Sequence, residues 1–392
     1  FMNRRYKIRK SPRRRRLTRS NAGPLLALLG TIFGALAVIA AIVIFVVPFA
    51  ISLFDKSYVS PFMPQPTPAP TAAPTPSPNP IECFVPGSDE NEIVLSSADY
   101  KWFGDPCCHN GKIVFTAGKL KDNNAAMSSL FFYEPETRTA TSFDYTLKYD
   151  HFMFPSFNDE WLVFIDTKFG GGGSIMAARL DEEGQKAFKV KDFYVGQPEI
   201  KLWEHYIVWT ERTGSRMDKL FVCDLETLES TTLVMFNGSS YGQSIPSFMN
   251  GLIVWADASA VSPDESAINY MRLSGRLNTY TVSTYVHDPE GNGAYFAWLD
   301  AHHSRTAKLY GSKSIGKPRL IAEGAIEFGL YEDYVIYSKD ESIWAYSFET
   351  DKSYRMTPEN ESAQFMGVSG GMVFFMDVTS RERDILKYVK LP

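Results

Sequence analysis

Four short stretches, "WLVFID" (161–166), "YIVWTE" (206–211), "LIVWAD" (252–257) and "YFAWLD" (295–300), share one pattern: apolar residues around an aromatic, ended by a carboxylate. Aligning every such run places the aromatic at Phe115, Phe164, Trp209, Trp255, Trp298, Tyr337 and Phe375, at intervals of 38 to 49 residues. A strand that is apolar along its whole length must be covered on both faces. A strand-rich repeat of about 40 to 45 residues is the period of a four-stranded propeller blade. Each run is followed, after a polar loop, by an alternating strand such as "SLFFYE", "KLFVCDL" or "SIWAYSF", and six of these continue through a turn into a short outer strand. The seventh repeat ends too soon to form its own outer strand, whereas "EIVLSS" (92–97) is a strand without a blade. Pairing the two closes a ring and removes two exposed sheet edges. The expectation is an all-β, seven-bladed propeller over residues 88–392, sewn shut by 92–97.

The lead-ins "PSFNDEWLVFID" and the stretch "YIVWTERTGSRMDKLFVCDLETLE" resemble the TolB-like beta-propeller family in their proline, turn, apolar-aromatic-acid strand and following "D-L-x-T" strand. The resemblance covers about residues 88–392 and implies the same fold. No lead-in carries the family's full serine-proline-aspartate-glycine turn, and the α/β domain that precedes the TolB propeller is not expected here.

Upstream, the chain changes character three times. Residues 1–20 hold ten Lys or Arg and no acid, and the first acid is Asp55. Within the segment 24–54, Leu25–Val47 carries no charge over 23 residues, long enough to span a hydrocarbon core roughly 30 Å thick and longer than a signal-peptide core. It reads as an uncleaved single-span anchor, with the basic segment 1–23 in the cytoplasm, beside anionic lipid, and everything after residue 54 outside the membrane. Residues 55–87 form a linker whose stretch 61–80 has nine prolines in twenty positions, which favours an extended, stiff spacer.

Candidate chemistry is sparse. Asp166, Glu211, Asp257, Asp300 and Asp377 each stand two residues after the aromatic. At the end of the second strand of a blade they would gather on one face and focus a negative potential there, or each would bind backbone amides of its own loop. His302 and His303 adjoin Asp300 on the loop 301–307 and complete the candidate ligand-binding set. "GVSGG" (367–371) matches the nucleophile-elbow spacing, yet a strand follows where that motif needs a helix, so Ser369 reads as a turn residue. Cys83, Cys107 and Cys108 are disulfide candidates in an external domain, and "CCH" (107–109) fits no zinc spacing.

No coherent catalytic set emerges, and no cofactor, resident metal or nucleic-acid partner is expected. The function expected is that of a membrane-anchored, extracytoplasmic binding module for a protein, peptide or glycan at the cell envelope. The alternative is a carbohydrate-active lyase or hydrolase with its site at the channel mouth.

Overall fold

The computed structural model describes residues 91–94, 99–119, 126–181, 186–211, 218–237, 244–259, 265–282, 284–301, 304–315, 317–379 and 385–391. All fall within the second of the two units into which the chain divides, residues 68–392. The basic segment, the expected anchor, the linker, Cys83, His302 and His303 lie outside the described residues, as do positions 95–97 of the expected closing strand. Among the described residues no helix is long and apolar enough to cross a membrane.

Seven antiparallel sheets of four strands each are present, and six of them run in simple chain order. The apolar-aromatic runs form the second strand of every blade, Lys112–Lys119, Trp161–Thr167, Tyr206–Glu211, Leu252–Ala258, Tyr295–Leu299, Tyr334–Lys339 and Met372–Asp377. Their aromatics are buried, with Phe115, Phe164 and Trp209 fully inaccessible and none of the seven above 4% exposed. Each fills a blade-to-blade interface; Phe164 packs with Val114 and Leu130 of blade 1, and Trp255 with Val208 and Leu220 of blade 3. A wedge-shaped module offers room for a large flat side chain where neighbouring sheets meet, which is why the aromatic recurs at one position.

The seventh sheet departs from chain order. Glu92–Ile93 pairs with Ile385–Lys390, Glu92 opposite Lys387 and Ile93 opposite Leu386, so the first described strand is the outermost strand of the last blade. The closing strand is thus confirmed at Glu92–Ile93. Two features hold it. Ile93 is fully buried in a cluster with Phe115, Phe131, Phe374 and Leu386 that joins blades 7 and 1, worth about 1.5–3 kcal/mol. The Lys387 ammonium sits 3.3 Å from Glu92, 3.0 Å from Glu361 and 2.9 Å from Asp377, with all four side chains at most 13% exposed. Burial alone would lower the Lys387 pKa, but its hydrogen bonds to Asp377 and Glu361 outweigh that and raise it.

The first strands, Tyr100–His109, His151–Phe157, Lys201–Trp203, Ser247–Met249, His287–Gly291, Phe328–Tyr331 and Ala363–Ser369, stand side by side around the axis. Four of them are bulged against their second strands. At three of these bulges a residue directly before proline has positive φ: Asp105 (46°), Phe154 (52°) and Asp288 (45°). Proline has no N–H to give the ladder, so it belongs where the ladder is interrupted. A bulge also re-aims the neighbouring side chain, and here it faces Asp105 and Asp288 toward the axis.

Candidate functional site: an acidic central channel

The first strands and the residues that lead into them enclose a channel of about 610 Å³ to which every blade contributes. Its walls mix apolar side chains, Phe154, Phe248, Leu330 and Phe365 among them, with polar ones such as Ser156, Ser247 and Gln364. Among them stand the charges: Asp105 from blade 1, Glu199 and Lys201 from blade 3, Asp288 and Glu290 from blade 5, and Glu327 at the start of blade 6.

The carboxylates of blades 1, 3 and 5 are held by the fold. Asp105 accepts a 3.0 Å hydrogen bond from the Phe154 amide of the next blade. Asp288 accepts one of 2.7 Å from the Ile245 amide of the preceding blade and lies 3.1 Å from Nε2 of the buried His287. Glu290 accepts from the Leu330 amide at 2.5 Å. Lys201 donates to Glu199. The inner ring is therefore stitched blade to blade by its own acids, and these same acids set the channel's charge.

Among the described residues, five carboxylates line the channel against a single ammonium, which leaves four negative charges in excess if all ionise. Protein on every side prevents channel water from solvating them fully. Burial pushes the Asp105 carboxyl up to about 6; the Phe154 amide opposes this, Glu199 adds to it and Lys201 opposes it. Burial likewise pushes Glu290 up to about 7, against the pull of Lys201 and the Leu330 amide and with the push of Asp288 and Glu199. For Lys201 burial acts downward, but Glu199 and Glu290 outweigh it and raise its pKa above the usual range. The channel is short of positive charge, and burial brings the pKa values of two of its carboxyls, Asp105 and Glu290, toward neutrality.

The acids singled out by the repeat occupy other positions. None of Asp166, Glu211, Asp257, Asp300 and Asp377 lines the channel. Asp166, 1% exposed, accepts from the Tyr145 hydroxyl at 2.9 Å and from the amides of Lys148 and Tyr149 at 2.7 and 3.0 Å. Asp257 accepts from the Asn237 amide at 2.9 Å and the Ala258 amide at 2.7 Å. Glu211 pairs at 2.7 Å with Lys191 of blade 2. In these three blades the carboxylate that ends the second strand ties down the outer part of the blade before it. Asp300 caps its own hairpin through the Lys308 amide, and Asp377 belongs to the Lys387 seam. The loops beyond these acids are only partly described; in blade 2, Phe169 is 68% exposed and stacks on His151 at 5.4 Å.

Cys107 and Cys108 are free thiols, and burial raises the pKa of both, that of Cys108 to about 11. Both stay protonated at neutral pH and are poor nucleophiles. Ser369 is not itself in the turn but ends the first strand of blade 7, paired with Met372; the turn is Gly370–Gly371, a strand follows it, and the Ser369 Oγ accepts from the Cys108 amide at 2.8 Å. The channel acids were missed by the repeat argument. A signal was present, since Asp105 and Asp288 immediately precede lead-in prolines in "FGDP" and "HDPEG".

No family model matches the chain, and no curated protein matches it. Many solved structures share the fold. The β-propeller domain of the Trilobed protease from Pyrococcus furiosus, described as having an open velcro topology, aligns over 75% of this chain and 98% of its own with a TM-score of 0.56 at 11% identity. The acylaminoacyl peptidase of Pyrococcus horikoshii aligns over 78% of this chain with a TM-score of 0.54 at 12% identity, and the match spans only 54% of the peptidase chain. An oligogalacturonate lyase in complex with manganese aligns over 75% of this chain and 90% of its own, with a TM-score of 0.50 at 11% identity. At such identities the likeness is one of fold: a seven-bladed propeller similar to peptidase and lyase propeller domains.

Proposed function

We propose that this chain is a non-catalytic binding module, a TolB-like propeller held outside a cell membrane by the span 24–54 and the proline-rich linker, and that its channel receives the cationic group of a peptide or protein ligand. The observation that supports this reading is the excess of carboxylates, Asp105, Glu199, Asp288, Glu290 and Glu327, over the one ammonium of Lys201 among the described residues of a channel that also carries apolar wall. An amine or guanidinium supplies the missing charge, and the apolar wall covers the alkyl stem that carries it.

Binding is then linked to protons. A cation prefers the ionised channel, so affinity falls as pH is lowered through the values of Glu290, about 7, and Asp105, about 6. If one proton must leave Glu290, the loss between pH 8 and pH 5.5 is on the order of 30-fold, and larger if Asp105 must also ionise. Stability of the empty propeller runs the other way. The folded chain keeps protons that the unfolded chain releases, so these two groups favour the fold below the ordinary carboxylate range, and that contribution is lost as pH rises toward 7.

The test is equilibrium binding of short peptides to the full chain in detergent micelles. Peptides bearing an exposed Lys, Arg or amino terminus should bind at pH 8 and weaken at pH 5.5. Glu290→Gln, which keeps an acceptor for the Leu330 amide, should weaken binding about tenfold at pH 8 and flatten the pH profile. Equal binding of neutral and acidic peptides would refute the assignment. One observation favours a second reading, a carbohydrate-active enzyme: carboxyls that ionise near neutrality suit proton transfer. Turnover of an oligosaccharide that is lost in both Glu290→Gln and Asp105→Asn would decide for it.

A further inference from the structure

The third blade carries a second constellation, apart from the channel. His205 lies in the turn between the first and second strands, Asp224 ends the third strand, Lys219–Asp224, and Glu226 follows in the turn to the outer strand. One ligand atom from each, the imidazole nitrogen and two carboxylate oxygens, falls within 4.8 Å of the others. His205 Nε2 is 4.0 Å from Asp224 Oδ2 and 3.9 Å from Glu226 Oε2. These separations are too long for direct hydrogen bonds. They are close to the roughly 3.4 Å between two donors of a tetrahedral cation with bonds of about 2.1 Å. The contraction needed at the two imidazole–carboxylate pairs is about half an ångström, the two carboxylates lie within 4.8 Å of each other, and Glu226, whose side chain is 54% exposed, can rotate inward.

The rest of the arrangement keeps these atoms available. Asp224 accepts the Glu226 amide at 2.9 Å on Oδ1 and also meets the Tyr206 hydroxyl, while its Oδ2 is the oxygen nearer the imidazole. The Leu225 amide donates to the His205 carbonyl at 2.8 Å, which locks the two turns side by side. The His205 ring lies against Tyr206, with centroids 4.1 Å apart, so its orientation is fixed. One imidazole with two carboxylates suits a borderline first-row cation more than calcium or magnesium, which take oxygen donors.

We propose that His205, Asp224 and Glu226 form a surface site for a divalent first-row transition metal, typified by zinc, with three protein ligands and an open position filled by water or by a donor from a partner. A bound ion ties the inner hairpin of blade 3 to its outer hairpin.

The experiment uses the full chain without a polyhistidine tag, stripped with chelator and kept in detergent micelles, with zinc as titrant in calorimetry and cobalt as a spectroscopic probe. The expected result is one saturable zinc site per chain and cobalt bands without a thiolate charge-transfer component, which separates this site from Cys107 and Cys108. His205→Ala should weaken zinc binding at least 100-fold and Glu226→Gln about tenfold, while Glu290→Gln leaves it unchanged and so separates it from the channel. Glu226 is exposed, so its variant reports on the site even if the His205 variant folds poorly. Absence of saturable zinc binding, or binding equally tight in both blade-3 variants, would overturn the proposal.

Discussion

Replacing Lys387 with alanine is expected to destabilise the propeller by about 3–5 kcal/mol, because it leaves the Glu92, Glu361 and Asp377 carboxylates together in a nearly closed space with no counter-charge. For a domain of this size that corresponds to a fall in Tm of roughly 5–10 °C. The loss is local in origin: Glu92 belongs to the closing strand and the other two acids to the last blade, so the seam should open before the rest of the ring. Hydrogen exchange should show lost protection at Ile93 and Leu386, which are paired across that seam, at denaturant concentrations where blade 4 remains protected. A change below about 1 kcal/mol, or uniform loss of protection, would show that the ring does not depend on this contact. The pH dependence follows from the same group. Asp377 is pushed up by its burial, but Lys387 and Thr379 outweigh this and hold it below the usual carboxylate range. Its contribution is therefore present above about pH 4 and is lost as pH falls through the lowered value.

Asp166→Ala is the second large effect. The buried carboxylate accepts from two amides and one phenol that have crossed over from blade 1. Each donor left without an acceptor costs about 1–3 kcal/mol, and allowing for partial access of water the total is about 3–5 kcal/mol. Asp166→Asn, which retains one acceptor oxygen, should lose about half as much. Asp300→Ala provides the contrast. That half-buried carboxylate accepts from the Lys308 amide inside its own hairpin, and its loss should cost about 1 kcal/mol. Chemical denaturation of the three variants measures the series, and equal effects for Asp166 and Asp300 would contradict the account of the clamp.

These two substitutions also show what was legible in the chain and what was not. The ring was legible because every blade faces the same neighbours: a buried aromatic such as Trp209 or Trp255 repeats at a spacing set by the size of the blade, and the unpaired "EIVLSS" pointed to the closing pair at Glu92–Ile93. The carboxylate ending each second strand was legible as a pattern, but its partners were not. Asp166 meets Lys148 and Tyr149 only once blade 2 docks on blade 1, a contact with no local signature. The channel was harder still. Its charges come from positions as far apart as Asp105, Lys201 and Glu290, on first strands as short as the three-residue Lys201–Trp203, too brief to show any periodicity. Bulges break the alternation there as well, so Asp105 and Asp288 face the axis against the simple in-out rule. In blade 3 the turns at His205 and Glu226 are 21 residues apart and come together only through the hairpin pairing of the blade.

The proposed function turns on the channel receiving a positively charged group. That is measured by calorimetric titration of the full chain with a lysine- or arginine-bearing peptide at pH 6.5, in buffers that differ in ionisation enthalpy. Glu290 and Asp105, near 7 and 6, are partly protonated at that pH, so association should release between about half a proton and one proton per chain, and the release should shrink in Glu290→Gln. Binding with no proton release in any buffer, or release unchanged in that variant, would contradict it.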